Sequence, residues 1–386
     1  AVGMAMLEAY EKTGEKICLE GAVDAARALV KGQLKTGGWN YRIEFNPDDR
    51  VRWVYRTDRK HSRRARNTSV LDDDNTQSAL QLLMRVDKAL NFKDESIHEA
   101  TLFGLKAVLG AQCLSGAWPQ VFDGRNEPEK YKTADATFPD TWPRAYQGHQ
   151  NYWYRPTLND NLLADVIDVL FEAGAIYRDP VYRQAALRGG TFILRAQLPD
   201  PQPGWAQQYN ERMEPIWARK FEPAAITGGE SKGVILTLLD LYQRTGEARW
   251  LKPIPRALAY YRKSRLPDGR LARFYEMKTN RPLYFTRDYK LTHDDADMPT
   301  HYAFKISDWT GSVQKKFDAV KSGKQASRAK PPSPATVRTI VKALDARGAW
   351  VESARLKSHR GYEGKIIDCA TFNRNIKILA DFVAAH

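Results

Sequence analysis

The sequence predicts an all-α protein. The expected architecture is an alpha/alpha toroid, an incomplete alpha/alpha barrel of helical hairpins with long functional loops and little β-structure. Three observations carry this expectation. Apolar residues recur at three- and four-residue spacing over Ala22 to Leu34, Ser78 to Leu90, Ile97 to Leu109, Leu158 to Phe171, Val181 to Leu194, Ser231 to Tyr242, Trp250 to Tyr261, Val337 to Leu344 and Ile376 to Phe382. Gly and Pro clusters at 36–39, 114–119, 199–204 and 266–269 separate several of these segments. A similar phrase also follows successive helices: GQLKTGGW, GAQCLSGAW, RAQLPDPQPGW and KSRLPDGRLARF. Helix pairs that each bury one apolar face stack side by side, so a repeat of this kind closes into a ring with its turns on one rim.

Each phrase ends on Trp39, Trp118, Trp205 or, in the fourth copy, the Arg273-Phe274 pair. Two roles compete for these tryptophans. One is packing beneath the loops, and the other is stacking on a sugar, which we retain for one or two of them. Two long segments, 45–68 and 122–156, interrupt the repeat and are expected to carry function on the helical scaffold. The first contains the basic run from Lys60 to Arg66, read as a solvated charge cluster, and the second contains Tyr146, Tyr152, Trp153 and Tyr154. The expected domain organisation is a catalytic toroid over 1–322, a linker over 323–335, and C-terminal helices over 336–386 that pack on the toroid.

Composition narrows the partners. A chain of 386 residues with 42% hydrophobic content supports a real core. Lys and Arg outnumber Asp and Glu by 60 to 46, a formal charge of +14 that favours a polyanion. No run of eighteen apolar residues occurs, which excludes a spanning helix on length. The basic residues are scattered and no recognised module accompanies them, which counts against nucleic acid. Cys18, Cys113 and Cys369 lack metal-type spacing and are expected to be buried thiols. The N-terminal AVGMAMLEAYEKTG lacks the basic start and long apolar core of a signal peptide, although a removed signal would leave no trace.

Three segments carry candidate chemistry. LARFYEMKTNRPLYFTRD sets Arg273, Arg281 and Arg287 among Phe274, Tyr275, Tyr284 and Phe285. Guanidinium forks bind carboxylates at two points and ring faces cover the apolar side of a pyranose, so this segment suits an anionic sugar. SVLDDDNTQSALQLL opens a helix with Asp72, Asp73, Asp74 and Thr76 at its start. One Asp suffices for capping, whereas three in succession repel one another unless a cation sits among them. Asp160, in TLNDN, opens another helix and is a second candidate carboxylate, and an oxygen-only set favours calcium or magnesium over zinc. PIWARKFEPAAITGGES adds Arg219, Glu222 and Glu230. The arginine would join Arg273 and Arg287 in one anion-binding rim, with the two glutamates orienting them, or else form a structural ion pair. His149, His293 and His301 are read as surface or hydrogen-bonding residues, and the run from His293 to Asp297 as a solvated acidic turn.

The runs ARKFEPAAITGGES, ARFYEMKTNRPLYFTRD and DDDNT, met in that family's order over residues 30 to 305, resemble the signature segments of pectate lyase family 10 of the polysaccharide lyases. The resemblance implies an alpha/alpha toroid that cleaves polygalacturonate by calcium-assisted β-elimination. By position, Asp72 resembles the Asp that opens the family's Asp-Asn-x-Ala-Thr run, Asp73 stands where Asn is usual, and Thr76 matches its Thr. Asp160 resembles the Asp of the Thr-Phe-Asn-Asp turn, so Asp72 and Asp160 are the implied calcium ligands. Arg287 resembles the arginine assigned as base, with Asp72 beside it in the catalytic set, and Arg219 and Arg273 resemble the carboxylate clamps. Asp73, Thr76, Glu222, Tyr275, Arg281 and His301 complete the expected substrate contacts. Arg281, next to Pro282, equally suits a role in supporting the turn. Paired arginines that some members carry before Gly-Tyr are replaced here by Met298, Pro299, Thr300, His301 and Tyr302, so one clamp is missing.

The resulting expectation is a secreted or periplasmic, monomeric lyase acting on an acidic polysaccharide, with pectate (polygalacturonate) as first candidate. The rivals are a noncatalytic acidic-glycan binder and a toroidal terpenoid cyclase. Tyr275, Tyr284 or Lys290 would be the base if Arg287 only stabilises charge.

Overall fold

The computed structural model describes residues 1–324, 330–356 and 361–386. Twelve α-helices run through them: α1 Val2–Thr13, α2 Lys16–Gly32, α3 Pro47–Arg50, α4 Asn75–Ala89, α5 Glu95–Gly110, α6 Leu162–Tyr177, α7 Pro180–Arg195, α8 Glu230–Thr245, α9 Ile254–Lys263, α10 Thr310–Lys321, α11 Pro334–Lys342 and α12 Cys369–Val383. The expected segments lie within or overlap nine of these, and α1, α10 and the one-turn α3 are additional. Their boundaries follow local chemistry. Asp94 caps α5 by accepting from the Ile97 amide, Asp179 caps α7 just ahead of Pro180, and α8 stops at Gly246, whose φ of 72° is costly for any residue with a Cβ.

The fold is an alpha/alpha toroid. α1 packs on α2, α4 on α5 and α6 on α7, and α2, α4, α6, α8 and α10 are neighbours in turn. One continuous apolar core extends from Leu7 to Val320. Each fully buried Leu, Ile or Val in it contributes about 1.5–3 kcal/mol. The strands are short and sit on the rim. β1 Ser69–Val70 pairs with β2 Val121–Phe122. β3 Ile226–Thr227, β5 Phe274–Tyr275, β6 Pro282–Phe285 and β7 Leu291–Thr292 form an antiparallel sheet of four, while β4 Leu271–Ala272 pairs with β8 Lys305–Ile306.

The repeated phrase has a repeated physical job. Trp39 donates its indole N–H to the Leu29 carbonyl at 2.8 Å, Trp118 to Val108 at 2.8 Å and Trp205 to Ile193 at 2.9 Å. Each bond satisfies a carbonyl in the last turns of the preceding helix, where partners run out. All three rings are at most 2% exposed, so packing wins over sugar stacking for every one of them. In the fourth copy the tie is made by Tyr275, whose hydroxyl donates to the Ser264 carbonyl at 2.7 Å. The Gln of the first three phrases also repeats its role. Gln33 bridges Gly37 to Ala100, Gln112 bridges Gly116 to Ala185, and Gln197 bridges Pro203 to Pro253, stitching each loop to the next hairpin.

At the C-terminal end α11 and α12 flank a hairpin of β9 Glu352–Leu356 and β10 Tyr362–Ile366, strands that a purely helical reading of 336–386 omits. Trp350 ties to the Ile340 carbonyl at 2.9 Å, so the same device recurs there. Ala380 of α12 meets Ala9 and Cys18, and Lys12 pairs with Asp381, seating α12 on α1 and α2. The expected linker, 323–335, lies partly outside the described residues. Cys18 and Cys113 are buried, but Cys369 is exposed because it opens α12 at the surface. No helix among the described residues is long and apolar enough to cross a membrane.

Candidate active site

The starts of α4, α6 and α8 converge on one rim, and each brings a carboxylate. Before α4, Asp73 and Asp74 have φ of 51° and 58°; before α6, Asp160 and Asn161 have 47° and 60°. Two consecutive hairpins thus use the same left-handed pair, a conformation that Asp and Asn tolerate better than most residues but that still costs about 1–3 kcal/mol per residue. No side-chain cap bond forms at either helix, so capping does not explain the acidic cluster.

Instead the carboxylates face each other. Asp72, Asp73 and Asp160 each offer an oxygen within 4.8 Å of the others, Asp72 being buried and the other two open. Burial, then Asp73, raises the Asp72 pKa against the pull of Arg219. Desolvation, then Asp72 and Glu230, raises that of Asp160. Mutual repulsion in an oxygen-only donor set is what a hard divalent cation relieves, so the cluster can hold a metal ion. Asp72 also accepts from the Tyr41 hydroxyl and from Gln120, both at 3.3 Å.

Two guanidinium groups border the carboxylates. Arg219 Nη2 lies 3.4 Å from Asp72 Oδ2, its Nη1 lies 3.7 Å from Glu222, and its Nε donates to the Tyr152 hydroxyl at 3.3 Å. Burial would lower its pKa, but Glu222, Tyr152 and Asp72 outweigh burial and raise it. Arg273 donates to Glu230 at 3.0 Å and to the Ala303 carbonyl at 2.8 Å. Its backbone is held by a close approach of chains: a Cβ on Gly228 would stand 2.2 Å from the Ala272 carbonyl oxygen, so only glycine fits.

Tyr302 joins the two arginines. It receives a hydrogen bond from Arg273 at 3.3 Å, donates to Glu222 at 3.2 Å, and lies under the Arg273 guanidinium at 4.6 Å. Glu222 is 2% exposed, and burial, reinforced by Glu230 and opposed by Arg219, pushes its pKa to about 7. The sequence reading passed over Tyr302, Tyr41 and Gln120. For Tyr302 a signal existed, since it follows the position of the missing clamp; for the others contact arises only on folding.

The remaining expected residues divide. Thr76 is fully buried and pairs with the Trp39 amide at 3.1 Å, with Gly38 packed so closely that a Cβ there would lie 2.6 Å from its hydroxyl. Thr76 is therefore a structural clip out of reach of a ligand, and buried Tyr275 is the tie already described. Arg281 is exposed at the turn before β6, where its carbonyl accepts from the Glu276 amide at 2.8 Å. Arg287 is in the turn between β6 and β7, its side chain 73% exposed and 3.3 Å from Asp297, and no contact joins it to Arg219 or Arg273. That turn also carries Tyr289, 6.1 Å from Phe221 in the Arg219 loop, and exposed His301 stands 5.2 Å from Phe221. The acidic run after His293 is ion-paired, Asp295 with Lys305 and Asp297 with Arg287.

The chain matches the family model described as pectic acid lyase over residues 33–271. Among solved structures it is similar to a family 10 polysaccharide lyase from Cellvibrio cellulosa, with 19% identity, a TM-score of 0.55, and 79% of this chain and 93% of that one covered. A mutant of a family 10 polysaccharide lyase from Cellvibrio cellulosa in complex with trigalacturonic acid gives 19% identity, a TM-score of 0.56 and coverage of 78% and 93%. No curated protein matches at a significant level.

Proposed function

We propose, because the chain belongs to the pectic acid lyase family, that it cleaves a uronate-containing polysaccharide, polygalacturonate first, by calcium-assisted β-elimination. It is a carbon–oxygen lyase acting on polysaccharide; the substrate, the metal and the residue roles are our reading. The observation that carries this reading is the facing of an oxygen-only trio, Asp72, Asp73 and Asp160, by Arg219 within 3.4 Å of Asp72. A polymer of this kind does not cross a membrane, so we assign the activity to the cell exterior or periplasm.

The chemistry asks for two things. The C5 proton of a uronate is alpha to a carboxylate, and its loss is feasible only where the carboxylate charge is neutralised as an enediolate-like intermediate builds up. Arg219 and Arg273 are suited to hold that carboxylate, their forks aimed by Glu222, Glu230 and Tyr302. Calcium held by Asp72 and Asp160, with Asp73 beside them, would add Lewis-acid neutralisation of the same charge. Arg287 then accepts the C5 proton on a guanidine nitrogen, the C4–O glycosidic bond breaks, the C4=C5 double bond forms, and the leaving oxygen takes a proton from solvent. A guanidinium has a pKa above about 12, so only its small deprotonated fraction acts as base and turnover rises toward alkaline pH. In the unbound site Arg287 Nε lies 3.3 Å from Asp297, and the reading requires Arg287 to leave that contact when substrate binds.

The test is the ultraviolet absorbance of the unsaturated uronate product, followed at alkaline pH with and without a calcium chelator. We expect a gain on polygalacturonate that the chelator removes. No gain on polygalacturonate, alginate or any other uronan overturns the proposal.

A further inference from the structure

The insertion 122–156 builds a cavity of about 170 Å³ next to the arginine rim, walled by Trp142, Tyr152, Arg155 and, from the segment before Arg219, Arg212, Glu214 and Trp217. Ligand pockets for drug-sized molecules run from about 300 to 1,000 Å³, so this one is scaled to a single ring. We propose that it is an accessory subsite that binds one further uronate unit of the polymer, with Arg155 reading its carboxylate and Trp142 and Trp217 covering the ring. The proposal rests on the polyuronate reading above.

Charge accounting singles out Arg155. Arg212 is neutralised by Glu214, which Asn210 also serves at 2.8 Å. Glu214 is thereby satisfied, and its pKa is lowered by Arg212 and Asn210 against the effect of burial. The Arg155 guanidinium has no carboxylate partner among the described residues, although it is half-buried and faces the cavity. A partly desolvated, unpaired cation in a cavity also lined by two indoles, one of which, Trp142, carries Arg144 over its ring at 4.8 Å, is chemistry that selects a planar anion on a ring with an apolar side.

The walls are fixed in place. Arg144 pairs with buried Glu276 under β5, Tyr154 donates to Asp123 at 2.8 Å, and Thr68 of the first insertion donates to the same carboxylate at 2.9 Å. Two walls also reach Arg219 directly. Trp217 donates its indole N–H to the Arg219 carbonyl at 2.9 Å, and the Tyr152 hydroxyl accepts from Arg219 Nε at 3.3 Å. A ring in the cavity would thus lie in line with the clamp, as the next stretch of a bound chain must.

The experiment compares wild type, Arg155→Ala and Trp142→Ala in two readouts: turnover of polygalacturonate, and tryptophan fluorescence on titration with trigalacturonate under chelator, with circular dichroism melts to establish folding. We expect both variants to raise KM for the polymer about tenfold, ~1.4 kcal/mol, with kcat within twofold of wild type. We also expect Arg155→Ala to lose the fluorescence change. Unchanged KM in a folded Arg155→Ala, with wild type active, overturns the subsite alone. An inactive wild type overturns the proposed function, and the fluorescence titration then decides the subsite: a change lost in Arg155→Ala supports it, and equal changes in both proteins overturn it.

Discussion

Arg219 Nη2 stands 3.4 Å from Asp72 Oδ2, so the cation expected to hold substrate also neutralises one of the carboxylates expected to hold metal. One charge cannot fully serve both partners. A divalent cation at Asp72 would free the guanidinium for an anionic sugar, which couples metal binding to substrate binding through a single side chain.

The first prediction concerns this coupling. Asp160→Asn removes one of the three facing negative charges while leaving Arg219 on Asp72. Calcium affinity, read by calorimetric titration, should fall by at least about tenfold, and the calcium dependence of KM for polygalacturonate should weaken in parallel. Arg219→Ala should reduce kcat by about a hundredfold or more, the scale of losing one preorganised charge stabiliser. Calcium affinity unchanged in Asp160→Asn would remove that residue from the metal site.

The second concerns pH and stability. Glu222 has its pKa raised from 4.5 to about 7 by burial, with Glu230 adding and Arg219 opposing. Between these values the folded state holds a proton that the unfolded state has released, so stability is greatest below the unfolded pKa and falls as pH rises through the folded one. The span is worth ~3 kcal/mol at most, at 1.36 kcal/mol per unit. Glu222→Gln should flatten this part of the stability–pH curve measured by urea unfolding. A curve as steep as wild type between pH 4.5 and 7 would show that another group carries the slope.

The third concerns Arg287, whose side chain is 73% exposed and, among the described residues, paired only with Asp297. Arg287→Ala should leave the melting temperature within error yet abolish turnover, at least about a hundredfold, as loss of a general base does. Asp297→Asn removes the ion-pair partner that Arg287 must leave when substrate binds and should raise kcat/KM. The effect should be only a few-fold, because exposed pairs are worth about 0–1 kcal/mol. An active Arg287→Ala would transfer the base role elsewhere on the rim.

Much of this was readable in the chain. The 3.6-residue period, the four phrases and the order of the acidic and arginine segments led to the toroid and to Asp72, Asp160, Arg219 and Arg273, which folding brings to one rim. What was not legible has specific causes. α1 buries Gly3, Ala5, Leu7 and Ala9, mostly small residues spaced two apart instead of three and four, and α10 follows rim strands instead of a helix-ending phrase. The left-handed backbone at Asp73 and Asp160 is invisible in a sequence pattern, and it is what converts apparent helix caps into facing carboxylates. Thr76 and Tyr275 sit beside functional residues in sequence but are drawn into the core by contacts made only on folding, Thr76 with the Trp39 amide and Tyr275 with the Ser264 carbonyl.

The last prediction separates packing from recognition among the repeated aromatics. Trp205 is fully buried with its indole N–H on the Ile193 carbonyl at 2.9 Å, whereas Trp142 is half-buried and lines the cavity beside Arg155. Trp205→Phe keeps most of the apolar contact but leaves that carbonyl without its partner inside the core, a loss of about 1–3 kcal/mol. Trp205→Ala adds a cavity and should cost about 3–5 kcal/mol. Denaturant unfolding should therefore rank wild type, Trp205→Phe and Trp205→Ala in falling order, while KM for polygalacturonate in the folded Phe variant stays at the wild-type value. A Trp205→Phe protein of full stability but weakened substrate binding would mean that the repeated tryptophans are read by sugar after all, contrary to their burial.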